Sequence, residues 1–318
     1  MSVDVIIPVY KPDAKFDRLL AMLVAQSVKP SKILILNTEV FPEYATERVA
    51  SHIKKVMKKQ PASQAADVSI EVHSIKKEEF DHGGTRAYGA GLSDAEFMIF
   101  MTQDAIPKDK YLIEELLKPF KDEQVAVSYG RQLAGENAGE IESYTRVFNY
   151  PETSRKKTKK DLEQLGIKTY FCSDVCAAYR KTSYEAVGGF VTKAIFNEDM
   201  IIASRFIKAG MAVYYAADAM VYHSHTYTYW QQFTRNFDLA VSQADHKDIF
   251  EEVSSESEGM KLVKQTIVHL AKKKRYFLII DLILQSGFKY MGYFLGKRYK
   301  TLPKSMVLKC SMNKAYFS

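Results

Sequence analysis

Four groups of residues in this 318-residue chain have side chains suited to chemistry on a phosphorylated ligand. The first is Phe80-Asp81-His82-Gly83-Gly84-Thr85-Arg86. Its paired glycines allow close backbone approach, the helix that follows offers its N-terminus to an anion, and Arg86 offers a guanidinium to phosphate oxygens. By itself the glycine pair reads equally well as a tight loop with a surface arginine. No G-x-G-x-x-G follows the first strand, which argues against a nicotinamide enzyme. The second group is Thr102-Gln103-Asp104-Ala105-Ile106-Pro107, directly after a very apolar run. Its carboxylate can hold Mg²⁺ or Mn²⁺, cations that take oxygen ligands and bridge to phosphates, or it can form the turn before the proline. In the third, Phe196-Asn197-Glu198-Asp199-Met200, two acids open a helix. Favourable interaction with the helix dipole accounts for them, and service of one as a general base is the alternative. The fourth, His223-Ser224-His225, ends a strand with two imidazoles, a better ligand candidate than a lone histidine.

The elements that must bring these groups together follow from hydrophobic periodicity. Val3 to Tyr10 is a β-branched run read as a buried strand, and 13–27 has the spacing of an amphipathic helix. Ile33 to Leu36 is a second strand, stopping at Asn37-Thr38-Glu39. A helix over 43–59, a strand from Val68 to Ile75, a helix begun near Gly84 and a strand from Phe97 to Met101 complete the first hundred residues. This alternation argues a parallel sheet with helices on its faces. Ligands in such sheets sit beyond the carboxyl ends of the strands, which selects Pro8-Val9-Tyr10, Asn37-Thr38-Glu39, the segment after Ile75 and Thr102-Gln103-Asp104. Farther on, the pattern predicts a helix over 110–121, a strand from Ala126 to Tyr129 and a polar, mobile loop over 152–164. Apolar character returns from Phe171 to Arg180. A helix from Met200 to Ala209 ends at Gly210, strands follow at 213–216 and 220–222, and the chain is helical after His225. No internal repeat is visible.

Composition bounds the function class. With 47% apolar, 12% aromatic and 26% charged residues the chain is globular, not disordered. Three cysteines exclude a disulfide scaffold, and Cys172 and Cys176 lack a matching pair at zinc-site spacing, so they read as buried, reduced thiols. The net charge of +7 is unevenly spread: residues 260–318 hold 13 Lys/Arg against one acid, Asp281, while 1–259 hold 32 against 37. A basic tail suits nucleic acid or an anionic membrane surface. The acidic body and the lack of an RNA-binding aromatic signature argue against nucleic acid. Tyr276 to Gly296 is the most apolar stretch, but Asp281, Gln285 and Lys289 interrupt it, so it reads as an amphipathic surface element rather than a span. Met1-Ser2-Val3-Asp4 lacks the basic start of a secretory signal, and a cytoplasmic protein is expected.

Taken in order, FDHGGTR (80–86), TQDAIP (102–107), KTYFCSDVCAAYRKTSYEAVGGF (168–190), NEDM (197–200) and VYHSHTYTYWQQF (221–233) resemble a family-2 glycosyltransferase, specifically its bacterial rhamnosyltransferase branch. The likeness runs from Val3 to about Tyr229. It implies an α/β GT-A fold, a Rossmann-like mixed sheet flanked by helices, with a C-terminal helical, basic extension. The implied organisation is a catalytic domain over 1–229, with a nucleotide-sugar half to about 107 and an acceptor half over 108–229, then a helical region over 230–318. By the same resemblance Pro8, Tyr10, Asn37, His82, Gly84, Arg86, Gln103 and Asp104 would bind the nucleotide sugar. Asp104 would coordinate Mg²⁺ or Mn²⁺ with His223, His225 being the alternative. Asp199 would be the general base with Glu198 beside it. Two departures stand out: Asn37 replaces a common Asp, and Thr102 replaces the first acid of the metal motif. The implied reaction inverts configuration, moving L-rhamnose from dTDP-L-rhamnose to a hydroxyl of a glycan, expected on a polyprenyl diphosphate at the inner face of the cytoplasmic membrane. A UDP-hexose donor and a non-catalytic glycan- or nucleotide-binding homologue are the alternatives. For the basic tail the resemblance implies a membrane-surface element, with a homodimer through the same helices as another option.

Overall fold

In the computed structural model, which describes residues 1–39, 42–61, 68–251 and 256–317, the chain is built on one twisted sheet buried on both faces. β1 (Val3–Val9) shows why: Val5, Ile7 and Val9 enter one core and Ile6 the other. Strands apolar on both sides require cover on both sides. β2 (Lys32–Glu39), β3 (Ser69–Lys76) and β4 (Phe97–Met101) pair with it in the order β3-β2-β1-β4, all parallel, as the alternation predicts. The connecting helices are α1 (Ala14–Val24), α2 (Pro42–Met57) and α3 (His82–Leu92). Asp13 starts α1 by accepting from the N–H groups of Lys15 (2.9 Å) and Phe16 (3.2 Å). Phe16, Leu19, Leu20, Leu23 and Val24 are then completely buried, each contributing about 1.5–3 kcal/mol.

Beyond β4 the sheet becomes mixed, the arrangement expected for the GT-A class. The elements are β5 (Ile106–Pro107), α4 (Leu112–Leu117), β6 (Val125–Leu133), α5 (Glu140–Asn149), β7 (Arg155–Lys157), β8 (Cys176–Arg180), α6 (Glu198–Lys208) and β9 (Ala212–Tyr222). β8 inserts antiparallel between β4 and β6; β9 runs parallel to β6 and carries β5 and β7 antiparallel on its other side. β5, which follows Asp104, pairs with the end of β9 (Ile106 with Tyr222), and this brings Asp104 beside His223.

Four local expectations need correction. β2 continues through Asn37-Thr38-Glu39, because Asn37 is held by Val9 on one side and Ser74 on the other. α3 starts at His82 rather than near Gly84, because Asp81 caps it, accepting the Gly84 N–H at 2.7 Å. The two strands expected around 213–222 are one strand with an irregularity, its partners jumping from Gly130–Ala216 to Arg131–Met220. The 152–164 segment, expected as a mobile loop, contains β7 and a reciprocal cap between Thr158 and Asp161. Its Lys157 is buried: Nζ donates to Tyr129 OH (3.2 Å), to the Lys168 carbonyl (3.1 Å) and to the Phe171 carbonyl, and lies 4.8 Å from the Tyr129 ring centre. Burial pushes its pKa down to about 7.

The C-terminal region is helical as expected: α7 (Tyr229–Asp245), α8 (Glu256–Lys272) and α9 (Tyr276–Gly296). Phe233, Phe237 and Val241 of α7 form a core with Ile195, Val307 and Cys310, joining this region to the rest. All three cysteines are buried and free. Among the described residues no helix is long and apolar enough to cross a membrane.

Candidate active site at the strand ends

Asp104 follows β4, while His223 and His225 follow β9, and their ligand atoms all lie within 4.8 Å of one another. His225 Nε2 is 3.2 Å from Asp104 Oδ2, His223 Nε2 is 3.6 Å from Asp104 Oδ1, and the two Nε2 atoms are 2.9 Å apart. Ligands about 2.1 Å from one ion and at right angles to each other would lie about 3 Å apart, so this triad fits a single divalent cation. Burial, reinforced by His225, holds the His223 pKa well below its usual value, which keeps a lone pair available. Two imidazoles beside one carboxylate suit Mn²⁺ better than Mg²⁺, which favours all-oxygen shells.

The next layer fixes the orientation. His223 Nδ1 meets Gln132 Oε1 at 2.9 Å, and the Gln132 amide group donates to Tyr150 OH (2.6 Å) and Ser173 Oγ (2.9 Å). Those two donations turn the amide oxygen toward the imidazole, so Nδ1 carries the proton and Nε2 faces Asp104. The His225 backbone N–H donates to Glu142 of α5 at 3.0 Å. A hollow of about 380 Å³ opens beside the triad, with Lys15 and Arg18 of α1 on its wall.

A second cluster surrounds Asp199. Asn197 takes a left-handed turn (φ 63°), a conformation asparagine tolerates, and presents Glu198 and Asp199 at the start of α6. Glu198 is buried against Arg86, Oε1 to Nη1 2.9 Å, and Arg86 Nε lies 3.4 Å from Asp174 Oδ2. Tyr179 OH donates to Asp174 Oδ1 at 2.6 Å. Asp199 is half-buried; its Oδ2 accepts the Asp174 N–H at 3.3 Å and its Oδ1 the Met200 N–H at 2.7 Å. One guanidinium cannot neutralise three carboxyl groups. Burial first, then Glu198 and Asp174, drives the Asp199 pKa well upward, and burial pushes Asp174 up to about 7 despite Arg86. Burial disfavours the Arg86 cation, but Glu198, Asp174 and Asp199 outweigh it.

The expected nucleotide-binding residues divide into two sets. Pro8, Tyr10, Asn37, Gln103 and Asp104 share the carboxyl edge of the parallel strands. The Asn37 amide is fully buried, and among the described residues neither its oxygen nor its nitrogen has a partner; the Thr38 and Thr102 hydroxyls are likewise unpaired there. Such groups call for a partner. Gln103 exchanges two hydrogen bonds with the Tyr10 backbone (2.7 and 3.1 Å), tying the end of β4 to that of β1. The second set turns inward. Arg86, expected to reach a phosphate, is instead buried and paired with Glu198 and Asp174, because the third turn-and-helix of the chain delivers it against α6 rather than solvent. The Gly84 N–H serves the Asp81 cap, and a Cβ on Gly83 would lie 1.9 Å from the Val191 carbonyl, so this glycine permits a close internal approach. His82 packs between Phe80 and Phe196, ring centres 5.4 and 5.5 Å away, and burial lowers its pKa.

Sequence reasoning missed Gln132, Glu142, Lys15 and Arg18. The two cations carried a signal, positions i and i+3 on the helix that follows the first strand end; the other two had none, since their partners are far away in sequence.

The family model described as "Glycosyltransferase like family 2" matches residues 2–241. The O-antigen chain rhamnosyltransferase RfbN of Salmonella typhimurium is 35% identical over 320 residues, covering 100% of this chain and 96% of that protein. The O-antigen chain rhamnosyltransferase WbaN of Salmonella anatum is 41% identical over 246 residues, covering 77% and 78%. Among solved structures, the mannosyltransferase PcManGT from Pyrobaculum calidifontis, in complex with GDP-Man and Mn²⁺, aligns with a TM-score of 0.61 at 12% identity, covering 94% of this chain and 86% of that one. S. aureus TarS 1-349 in complex with UDP-GlcNAc aligns at 0.53 and 14% identity, covering 95% and 92%. At these identities the structural matches speak to the fold.

Proposed function

The chain belongs to the glycosyltransferase-like family 2 and is a glycosyltransferase, and from that premise we propose that it moves L-rhamnose from dTDP-L-rhamnose to a hydroxyl of a growing O-antigen-type glycan, with inversion at the anomeric carbon. The observation that carries the reading is the convergence of Asp104, His223 and His225 at the strand ends, with Asp199 linked to them through the Ser173-Asp174 segment. The 35–41% identity to two rhamnosyltransferases supports the sugar.

In this mechanism the chain binds the donor along the carboxyl edge of β1, β2 and β4. The Asn37 amide both donates and accepts, matching the adjacent N–H and C=O of a pyrimidine; thymine and uracil satisfy it alike. Asp104, His223 and His225 would hold a divalent cation, which would supply charge neutralisation as the diphosphate leaves. Lys15 and Arg18 add positive charge on the same wall. Asp199 takes the proton of the acceptor hydroxyl as that oxygen bonds to the anomeric carbon and the bond from that carbon to the diphosphate oxygen breaks. Its raised pKa makes it a stronger base than an ordinary carboxylate. Glu198, tied to Arg86, holds the local charge and does not face the acceptor. The acceptor is linked to a polyprenyl diphosphate, and the enzyme works peripherally at the inner face of the cytoplasmic membrane.

The test is a donor panel of dTDP-L-rhamnose and UDP-hexoses with detergent-solubilised lipid-linked glycan, in Mn²⁺, Mg²⁺ or chelator. Turnover of dTDP-L-rhamnose, abolished by chelator, is expected. Turnover of a UDP-hexose alone would move the donor assignment, and tight nucleotide binding with no product from any donor would favour a non-catalytic homologue.

A further inference from the structure

α9 turns two different faces to its surroundings. Its inner face docks on α7: Gly292 and Gly296 lie so close that an added Cβ would sit 2.1 Å from the Phe233 carbonyl oxygen and 2.3 Å from that of Phe237. Its outer face carries Phe277, Ile280, Ile283, Leu284, Met291 and Phe294, all exposed, Phe277 to 89%. Their spacing of three, four and seven residues makes a continuous apolar stripe along a 21-residue helix about 30 Å long. Asp281, the sole acid of this region, is turned onto the protein, accepting from Tyr229 OH (2.6 Å) and Gln285 Nε2 (2.8 Å). The stripe is therefore free of negative charge.

Both ends of the helix are basic. Lys272-Lys273-Lys274-Arg275 precede it, and Lys297, Arg298, Lys300 and Lys304 follow it. Glu140 engages Lys273 and Arg275, Lys272 and Lys274 are exposed and meet no acid among the described residues, and the Arg298 guanidinium lies 3.9 Å above the Phe294 ring. If two copies paired through this stripe, parallel or antiparallel, cations would oppose cations at each end. An anionic leaflet satisfies both ends at once.

We propose that α9 is an in-plane membrane helix: its outer stripe inserts at the headgroup–acyl boundary of an anionic bilayer while the basic residues at its ends bind lipid headgroups. Tyr229, four residues past His225, stacks on Phe288 of α9 (ring centres 5.4 Å apart), so the embedded helix lies next to the segment that carries the metal-site histidines. The inference rests on the membrane placement proposed above and assigns it to named residues; it is independent of which sugar is moved.

Flotation of the full chain with vesicles of phosphatidylethanolamine and phosphatidylglycerol, and with phosphatidylcholine vesicles, tests it. Binding to the anionic vesicles is expected, weakened at least about tenfold by Ile280→Glu or Ile283→Glu and about tenfold by Lys272→Gln with Lys274→Gln. All these positions are exposed, and unchanged circular dichroism confirms folding. No partitioning of the wild-type chain overturns the proposal. So does sedimentation equilibrium showing a dimer that Ile283→Glu dissociates, which would give the stripe to a second copy. Donor turnover measured on the same variants in detergent, expected unchanged, separates failure of the membrane helix from failure of the transfer reaction.

Discussion

Gln132 of β6 and His223, the residue that follows the parallel neighbour strand β9, are 91 positions apart in the chain and meet through their side chains, Oε1 to Nδ1 at 2.9 Å. The contact decides which imidazole nitrogen carries the proton, and thereby leaves Nε2 to a metal. Gln132→Leu removes the acceptor while roughly keeping volume. Mn²⁺ affinity, measured by calorimetry on the purified chain, is expected to fall about 10–100-fold. Undiminished affinity would show that the glutamine does not orient the ligand.

Asp199→Asn keeps the shape of the side chain and removes its basicity. Transfer is expected to drop about 10²–10⁴-fold while dTDP binding, followed by fluorescence or calorimetry, stays the same. Glu198→Gln should behave differently. It breaks a buried pair with Arg86, so its first effect is on thermal stability. Unchanged turnover in Asp199→Asn would remove it from the role of base.

The raised pKa of Asp199 makes a pH prediction with a definite sign. The base works ionised, so kcat falls as pH falls through its pKa, and the acid limb of the profile is expected above the ordinary carboxylate range. The backbone N–H groups of Met200 and Asp174 oppose this shift, and Arg86, whose cation Asp199 favours after Glu198 and Asp174, is the positive charge of the cluster. Arg86→Gln should move the limb further toward alkaline pH, with activity recovering as pH rises; Arg86→Lys should move it less. A flat loss at every pH would mean that the arginine only holds the fold.

The contrast between Gln132 and Asp104 shows what was legible in the sequence. Asp104 lies directly after an apolar strand, and strand ends are where α/β sheets bind ligands, so local pattern alone placed it correctly at the cleft. Gln132 sits inside β6, and its role depends on β8 inserting antiparallel and β9 returning parallel, a crossing no local window encodes. The buried pairing of Arg86, expected at a phosphate, was hidden for the same reason: helix periodicity can give a side chain's face, but the acids that meet it, Glu198 and Asp174, come from distant segments. Lys157 misled by composition, since a run of charges read as a solvated loop hides a lysine whose carbonyl and aromatic partners sit under the sheet edge.

That lysine gives a stability prediction. Its folded pKa of about 7 lies below its unfolded value near 10.4, so between these pH values the unfolded chain binds the extra proton. The stability of the wild type therefore gains a term that rises with pH from about 7 toward 10 and is lost as pH falls. Denaturant melts across this range should show wild-type stability rising relative to that of Lys157→Met as pH rises. A constant difference would place the charge of Lys157 in the folded protein at its ordinary pKa.

Gly292 offers the sharpest test of how α9 is held. Replacing a helix-interior glycine by alanine ordinarily stabilises a helix by up to about 1 kcal/mol. Here the added methyl would press on the backbone oxygen of Phe233 at 2.1 Å, a group that cannot rotate away, with Gly296 and Phe237 in the same relation one turn later. Gly292→Ala is therefore expected to destabilise by about 1–3 kcal/mol, the usual range for an overpacked contact, with the melting temperature falling rather than rising. Gly287, exposed on the outer side of the same helix with nothing within 4 Å of its would-be Cβ, is the internal control: Gly287→Ala should raise stability. If both substitutions raise it, α9 is not seated on α7 at this distance.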